Sequence, residues 1–275
     1  RLAIENGHVV IWNQNKDIPH KTSMDYSYLD IDSIYLTARN LFFNGDSIIG
    51  VMDYLSATDR CGFTLDEFSS NSPFLVSSKG LDFKNLIIKT HTTDLNLDLK
   101  FLYNGYDDYR KFVDSIMIIA NIKPSQLTLS DLRYFSAKMG MMTDTLQIKG
   151  LITGTVRDFT ASNFSFSFKD STNFLGTIKM RGLPKFKDTH IVGNIEKFNF
   201  TYQDISEFAI PNHDGKIPLP KQITCVKEAM LSGEFYGFFN NFNTRLNLHA
   251  DISNVFFNSA LNNNLLLSPK PDYFL

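Results

Sequence analysis

The sequence predicts an all-β protein with a few short helices, in which long antiparallel strands form an elongated curled sheet. Three observations predict this class. Polar and apolar side chains alternate over runs of about ten residues, which is typical of half-buried strands. Phenylalanine dominates the aromatic content, with 25 copies among 275 residues, and β-structure buries aromatic side chains well. A glycine–phenylalanine spacing also occurs twice, which indicates internal repetition.

The repeat places two glycines four residues apart and a phenylalanine five residues further on. Its two copies are Gly150, Gly154 and Phe159, and then Gly233, Gly237 and Phe242. Glycine on the apolar phase of a strand marks a bend, or leaves room for a neighbouring backbone or a ligand. We therefore predict that the repeat marks places where the sheet bends or its interior widens.

Strand alternation predicts one apolar face, because alternate side chains of a strand point to the same side. A ten-residue run spans roughly 33 Å at ~3.3 Å per residue, which exceeds the common strand of about 5–6 residues. A change of phase between Ile195 and Phe198 predicts a β-bulge at Lys197. The residues predicted to line the apolar face are Leu95, Leu97, Leu99, Phe101, Leu146, Ile148, Ile152, Phe164, Phe166, Phe168, Leu246 and Leu248.

Three short helices are predicted between the strands, over residues 64–68, 130–135 and 204–208. Each begins with a residue that caps helix N-termini, carries early carboxylates and ends in Phe. The sequences Asn44-Gly45-Asp46 and Asn104-Gly105 predict turns.

We expect a single elongated domain over residues 1–260 and a poorly packed tail over residues 261–275. The approximate repeat units within the domain are 28–110, 111–200 and 201–260.

No motif of enzymatic chemistry is present, and we predict that the protein is not an enzyme and holds no metal or cofactor. The chain contains no P-loop, nucleophile elbow, zinc-protease helix or dinucleotide fingerprint. His91 and His249 fall at predicted exposed positions, and the His213-Asp214 pair lacks a third metal ligand. The Asp107-Asp108 pair is predicted to be a solvated turn.

The charge of the chain argues against a nucleic-acid-binding protein, and the cysteines leave two alternatives. The net charge is −2, and no cluster of Lys and Arg forms a basic stripe, so no nucleic-acid partner is predicted. Cys61 and Cys225 either pair or remain free thiols, and the sequence leaves both alternatives open. The chain begins at Arg1 and contains no apolar run near ~18 residues, so any membrane anchor is expected outside this sequence.

The apolar face admits two interpretations. Two sheets that face each other would make it a sandwich core. A single sheet curled into a trough would instead offer Phe and Leu as the lining of a groove for lipid chains. Both arrangements have the same periodicity in the sequence, so both remain open at this point.

Six segments resemble the amino-terminal half of TamB-like proteins of the AsmA superfamily, in the Bacteroidetes style. The resemblance covers roughly residues 28–252, and its motifs are strand patterns with glycines. The segments are Leu29–Ile34 (LDIDSI), Asn40–Phe43 (NLFF), Gly80–Thr90 (GLDFKNLIIKT), Asp144–Phe159, Gly182–Phe200 and Leu231–Ile252.

This resemblance implies a periplasmic protein of a Gram-negative bacterium, anchored in the inner membrane by a segment outside this chain. It implies a curled β-taco sheet with an open groove, of the bridge-like lipid-transfer type, that conducts phospholipid between the inner and outer membranes. It also implies a TamA-like outer-membrane barrel as a partner, although the domain associated with that partner is not recognisable here. The family supplies no catalytic residues.

Two other functions remain as alternatives to lipid conduction. The first is a periplasmic scaffold or chaperone whose sheet edges bind strands of outer-membrane proteins by β-augmentation. The second is a β-sandwich adhesin or carbohydrate-binding module, which predicts a closed core.

Overall fold

Long antiparallel strands make up most of the chain in a computed structural model of the protein. The structure describes residues 1–15, 23–25, 28–135, 142–185, 188–208, 227–238, 241–250, 253–262 and 272–274. The strands are β1 Leu2–Trp12, β2 Tyr28–Asn44, β3 Ser47–Asp59, β4 Thr64–Leu65, β5 Glu67–Ser70, β6 Pro73–Ser77, β7 Gly80–Lys89, β8 Asp94–Leu102, β9 Met117–Thr128, β10 Thr145–Gly154, β11 Asp158–Phe168, β12 Thr172–Arg181, β13 His190–Phe200, β14 Ala229–Phe238, β15 Asn241–Ala250, β16 Ser253–Asn262 and β17 Asp272–Phe274.

Short helices interrupt the strands. Within the described residues two are 3₁₀ helices, at Tyr106–Lys111 and Leu129–Tyr134, and two are α-helices, α1 at Phe112–Ser115 and α2 at Tyr202–Glu207. The prediction of an all-β protein with long antiparallel strands and a few short helices is therefore confirmed.

The chain divides into two compact units. The first unit comprises Arg1–Tyr106, Ala120–Gln147 and Phe208–Lys216, and the second comprises Asp107–Ile119, Ile148–Glu207 and Ile217–Leu275. The sheet in each unit is open and uncurled, so the predicted curl is not observed within either unit. The three repeat boundaries stay a prediction, and most of the predicted tail lies outside the described residues.

Strand pairing is antiparallel in both units. In the first unit β1 pairs with β2, β2 with β3, β3 with β4 and β6, β5 and β6 with β7, and β7 with β8. In the second unit each strand from β11 to β16 pairs with the next one along the chain. Antiparallel neighbours can be joined by tight turns, and Gly45 and Asp46 form the predicted turn between β2 and β3.

β-Bulges interrupt several of the long strands. Five sit where a non-glycine residue has a φ between 46° and 53° and the register shifts beside it; these residues are Asn6, Ser33, Asn40, Asn85 and Asn163. Asn accounts for four of them because its short polar side chain tolerates the left-handed region.

A bulge is confirmed between Ile195 and Phe198, but towards β12 Lys197 pairs with Leu175 and Glu196 is the residue left unpaired. Ile195 pairs with Gly233 and Phe198 with Leu231, which leaves Glu196 and Lys197 opposite the single residue between those partners.

Two of the three predicted helices are confirmed, with slightly shifted bounds. Residues 130–135 correspond to the 3₁₀ helix Leu129–Tyr134, and residues 204–208 correspond to α2. The helix predicted over residues 64–68 is wrong, because these residues form β4 and part of β5. Pairing of β4 with β3 and of β5 with β7 satisfies the backbone of this segment instead.

A threonine–aspartate cluster fastens the 3₁₀ helix Leu129–Tyr134 to the turn between β7 and β8. The hydroxyls of Thr90, Thr92 and Thr93 donate to Oδ2 of Asp131 at 2.6, 3.1 and 2.7 Å. Hydrogen bonds to a carboxylate are among the stronger ones in proteins. This cluster therefore fixes the helix against one end of the strands.

Candidate functional site: the apolar faces of the two sheets

The first unit has an apolar face that runs across β7 and β8. Every predicted lining residue of β8 pairs with an apolar residue of β7: Leu95 with Ile88, Leu97 with Leu86, Leu99 with Phe83, and Phe101 with Leu81. Directly opposite residues of an antiparallel pair share one face of the sheet. The predicted alternation thus places all four side chains together.

The burial of this apolar face decreases from β8 towards β1. Leu86 is 0% exposed and Leu97 is 6% exposed at the centre. On the same face, Phe43 of β2 is 68% exposed and Ile11 of β1 is 55% exposed. Part of the apolar face of the first unit is therefore core, and part is open to solvent.

The opposite face of the first unit carries charged side chains in ion pairs. Lys100 lies 3.6 Å from Asp82 across β7 and β8, and Arg39 lies 2.8 Å from Asp53 across β2 and β3. Exposed pairs of this kind add little stability. The sheet is therefore amphipathic across β7 and β8. On β2, β3 and β6 the ion-paired side also exposes Phe42, Ile49 and Leu75.

The second unit carries a row of aromatic rings on its apolar face, which we call the aromatic row: Phe164, Phe166, Phe174, Phe198 and Phe200. The rings of Phe166 and Phe174 stack at 5.1 Å between centroids, and Phe174 meets Phe198 edge-on at 6.1 Å. Phe198 continues the row to Phe200 at 5.0 Å. The row crosses β11, β12 and β13, and offset or edge-on ring pairs such as these stabilise a sheet face.

Glycines alternate with large side chains on the same face of the second unit. The cross-strand pairs are Phe164 with Gly176, Phe235 with Gly193, Phe242 with Gly237, and Leu246 with Gly233. A large side chain directly across from a glycine covers the backbone that the glycine, lacking a side chain, exposes to solvent. The glycines therefore let wide aromatic side chains lie flat on the face.

The glycine–phenylalanine repeat forms a β-hairpin in both copies. A Cβ atom added to Gly154 would lie 2.6 Å from Cα of Phe159, and one added to Gly237 would lie 2.6 Å from Cα of Phe242. Both glycines have left-handed φ values, 130° and 143°. Of the alternatives that the sequence leaves open, a close approach of the neighbouring backbone is the one observed at these positions.

All twelve predicted lining residues lie on the apolar phase of their strands, and none is fully exposed. Phe168 and Ile148 are buried, and the others in the second unit are half-buried. The prediction missed several residues of the same faces: Phe74, Phe83, Leu86, Phe174, Phe198, Phe200, Phe235 and Phe242. The same alternation, applied to every strand, would have found them.

The two histidines predicted to be exposed, His91 and His249, are exposed, whereas Asp107 and Asp108, predicted in a turn, lie in the 3₁₀ helix Tyr106–Lys111. The side chain of His91 is 98% exposed, His249 is exposed on the polar phase of β15, and Asp107 is 91% exposed within the first 3₁₀ helix. The His213-Asp214 pair lies outside the described residues. In the part of the chain that the structure describes, no three His, Cys, Asp or Glu side chains are grouped to hold a metal.

Cys61 is a half-buried free thiol in the turn after β3. Burial raises its pKa, and the hydrogen bond with Asp59 raises it further. A thiol with a raised pKa is protonated near neutral pH and is a poor nucleophile. Cys225 lies outside the described residues.

A polar cavity of about 450 Å³ opens at one end of the second unit. Asp170, Glu228 and His249 contribute charged or titratable groups to its wall, and Phe200 contributes an aromatic one. This lining differs from the aliphatic and aromatic lining of the apolar faces. Because Phe200 also ends the aromatic row, the cavity adjoins the end of that row.

No protein-family model, curated protein or solved structure shows significant similarity to the chain. In the described residues, no helix is long and apolar enough to cross a membrane.

Asp98 organises the ion-paired face of the first unit around the bulge at Asn85. Its Oδ1 accepts the backbone N–H of Asn85 at 2.9 Å and lies 3.4 Å from Nζ of Lys123. Lys123 also donates to Oδ1 of Asn85 at 2.6 Å. The hydrogen bond from the Asn85 backbone is the main reason that the pKa of Asp98 lies below its ordinary value, and Lys123 lowers it further.

We expect Asp98→Asn to destabilise the protein at pH 7. The difference in unfolding stability between this variant and the wild type should become smaller as the pH falls. A carboxyl group whose folded pKa is depressed contributes stability above its unfolded pKa, about 3.9, and loses it as the pH falls through the folded value. Urea unfolding from pH 7 down to about pH 2.5 measures this difference in midpoint. Asp107→Asn, on an exposed side chain, is the control and should change little. If the urea midpoints of Asp98→Asn and wild type differ by the same amount down to the lowest pH, the lowered pKa of Asp98 does not contribute to stability.

Proposed function

We propose that this chain is the periplasmic segment of a bridge protein that conducts phospholipid between the inner and outer membranes. The observation that carries the proposal is the apolar face of Leu, Ile and Phe in each unit, which in the first unit lies opposite ion-paired side chains across β7 and β8. Many side chains of the apolar faces are only half-buried. The proposal rests on the apolar faces and does not require the curl that the sequence predicted.

The resemblance to TamB-like proteins supports the location in this proposal. A segment outside this chain would anchor the protein in the inner membrane of a Gram-negative bacterium. A TamA-like outer-membrane barrel is the corresponding partner at the other membrane.

The apolar faces suit acyl chains for a physical reason. Each methylene that leaves water contributes about 0.8 kcal/mol, so a chain laid along Leu and Phe side chains is held without any specific contact. The aromatic row offers nearly uniform contacts from Phe164 to Phe200. A surface with no single tight site lets a lipid slide, while its head group stays in water.

Photo-crosslinking from the aromatic row tests the proposal. A photoreactive amino acid at Phe166, irradiated in the cell envelope, is expected to give phospholipid adducts that mass spectrometry identifies. The matched control is the same amino acid at Leu175, an apolar residue on the opposite face of β12 that is 38% exposed. Adducts with protein only at Phe166, or equal lipid adducts at both positions, would contradict lipid conduction.

Phe166→Asp separates a lipid-binding face from a dry core. On a lipid-binding face the aspartate stays solvated, so the protein keeps its circular dichroism spectrum and loses co-purified phospholipid. In a dry core an unpaired buried charge is costly, and the variant unfolds. Ser165→Asp, next to it on the polar phase, is the control and should retain both fold and lipid.

The scaffold function is the second candidate, favoured by one observation. The strand β1 exposes nearly all of its side chains, and an exposed strand edge binds other strands by β-augmentation. Protein adducts with outer-membrane protein strands, obtained from a photoreactive residue in β1 rather than at Phe166, would favour it.

A further inference from the structure

The strand β1 is an exposed, apolar edge. Among the described strands β1 pairs with β2 alone, and ten of its eleven residues are exposed. Natural edge strands usually carry Lys, Pro or inward charges that discourage pairing, and β1 contains neither Lys nor Pro. Its exposed large apolar residues, each 39–55% exposed, are Leu2, Ile4, Val9, Val10, Ile11 and Trp12.

The register with β2 assigns each β1 residue to a face. Leu2, Ile4, Val9 and Ile11 lie opposite Ala38, Leu36, Ile31 and Leu29, which belong to the apolar face of the first unit. The bulge beside Asn6 shifts the phase between Ile4 and Gly7. Ala3, Glu5, His8 and Val10 therefore lie on the other face.

We propose that two copies of this chain pair through antiparallel β1 strands, with the two-fold axis between Asn6 and Gly7. An isologous interface of this kind requires a self-complementary surface, and β1 has one. The directly opposed pairs are Leu2 with Ile11, Ile4 with Val9, Ala3 with Val10, and Glu5 with His8. Both members of each pair lie on the same face of the sheet.

Charge complementarity selects this register. A shift of one residue would place the apolar face of one copy against the opposite face of the other, because side chains alternate with period two. A shift of two residues would place Glu5 opposite Val10 in one direction and opposite Asn6 in the other. Only the proposed register sets Glu5 against His8, in two symmetric copies.

The environment of His8 suits this contact. Its Nε2 lies 2.8 Å from Oδ1 of Asp30 on β2, which leaves Nδ1 as the ring nitrogen for Glu5 of the second copy. Opposite charges placed directly across two strands stabilise their pairing. The apolar pairs on either side of this contact bury the side chains that β1 exposes in a single copy.

Sedimentation velocity of the full chain tests the proposal directly, and independently of lipid conduction. The wild-type chain is expected to be a dimer, and Ile4→Lys and Val9→Lys are each expected to be monomers, because each places two lysines in the apolar pairs. The matched control is Phe43→Lys, on the same face of β2 and 68% exposed, which should remain a dimer. A monomeric wild-type chain, or a dimer that persists in a folded Ile4→Lys or Val9→Lys variant, would overturn the proposal.

Disulfide trapping tests the register. In a background with Cys61→Ser and Cys225→Ser, an Ala3→Cys chain mixed with a Val10→Cys chain should form a heterodimeric disulfide, since opposed Cα atoms lie about 4.5–5.5 Å apart, within disulfide reach. Either chain alone should not cross-link, because residue 3 and its symmetry mate would lie about 23 Å apart along the strand. Efficient cross-linking of Ala3→Cys alone, or none in the mixture, would overturn the register.

Discussion

Gly237→Ala is expected to destabilise the second unit by about 3 kcal/mol or more. The added methyl carbon would lie 2.4 Å from the carbonyl oxygen of Asn241 and 2.6 Å from Cα of Phe242. Both atoms belong to the backbone of β15, so no side chain can rotate away. The left-handed φ of 143° adds strain that glycine alone avoids. Urea unfolding followed by far-ultraviolet circular dichroism measures the loss.

Gly193→Ala provides the matched control for this prediction. Gly193 lies on the same apolar face in β13, and a Cβ there would meet only Cβ of Phe235, at an ordinary 3.7 Å. We expect a change of less than about 1 kcal/mol. Gly154→Ala should resemble Gly237→Ala, because its Cβ would lie 2.3 Å from the Asp158 carbonyl oxygen. Equal losses at Gly193 and Gly237 would show that the close backbone approach is not the cause.

Phe174→Ala is expected to cost about 3–5 kcal/mol. Phe174 is 8% exposed and lies at the centre of the aromatic row, between Phe166 and Phe198. Removing its ring deletes buried apolar surface and breaks two ring contacts. The same urea experiment measures the change in the free energy of unfolding.

Leu175→Ala is the control for the aromatic row. Leu175 is the next residue of β12, faces the opposite side of the sheet and is 38% exposed, so its loss should cost less than about 1 kcal/mol. A Phe174→Ala variant as stable as the Leu175→Ala variant would mean that the row does not stabilise the sheet. In that case the row would serve only as a surface for ligands.

Local patterns in the sequence predicted much of the candidate site. The alternation around Leu97 and Phe166 placed both side chains on apolar faces. This works because successive side chains of any strand point to opposite faces of the sheet. The phase change located the bulge between Ile195 and Phe198 for the same reason. The segment 64–68 was predicted wrongly, since its helix-capping residues are a weak local signal and strand pairing outweighed it.

Contacts between strands could not be predicted in this way. The hydroxyls of Thr90 and Thr93 reach Asp131 across some forty residues of sequence. Nothing in the spacing of these residues indicates that they meet. Their proximity depends on where the β7–β8 turn and the following 3₁₀ helix come to lie.

The sequence by itself determined the all-β class, the long strands and the composition of the apolar faces, because each follows from alternation within single strands. Only the tertiary structure decided which residues face each other. It showed that the glycine–phenylalanine repeat is a hairpin in which Gly237 lies against Phe242, and that β1 is an exposed edge. The physical reason is that register and strand order are set by turns, bulges and cross-strand packing, which alternation within one strand does not encode.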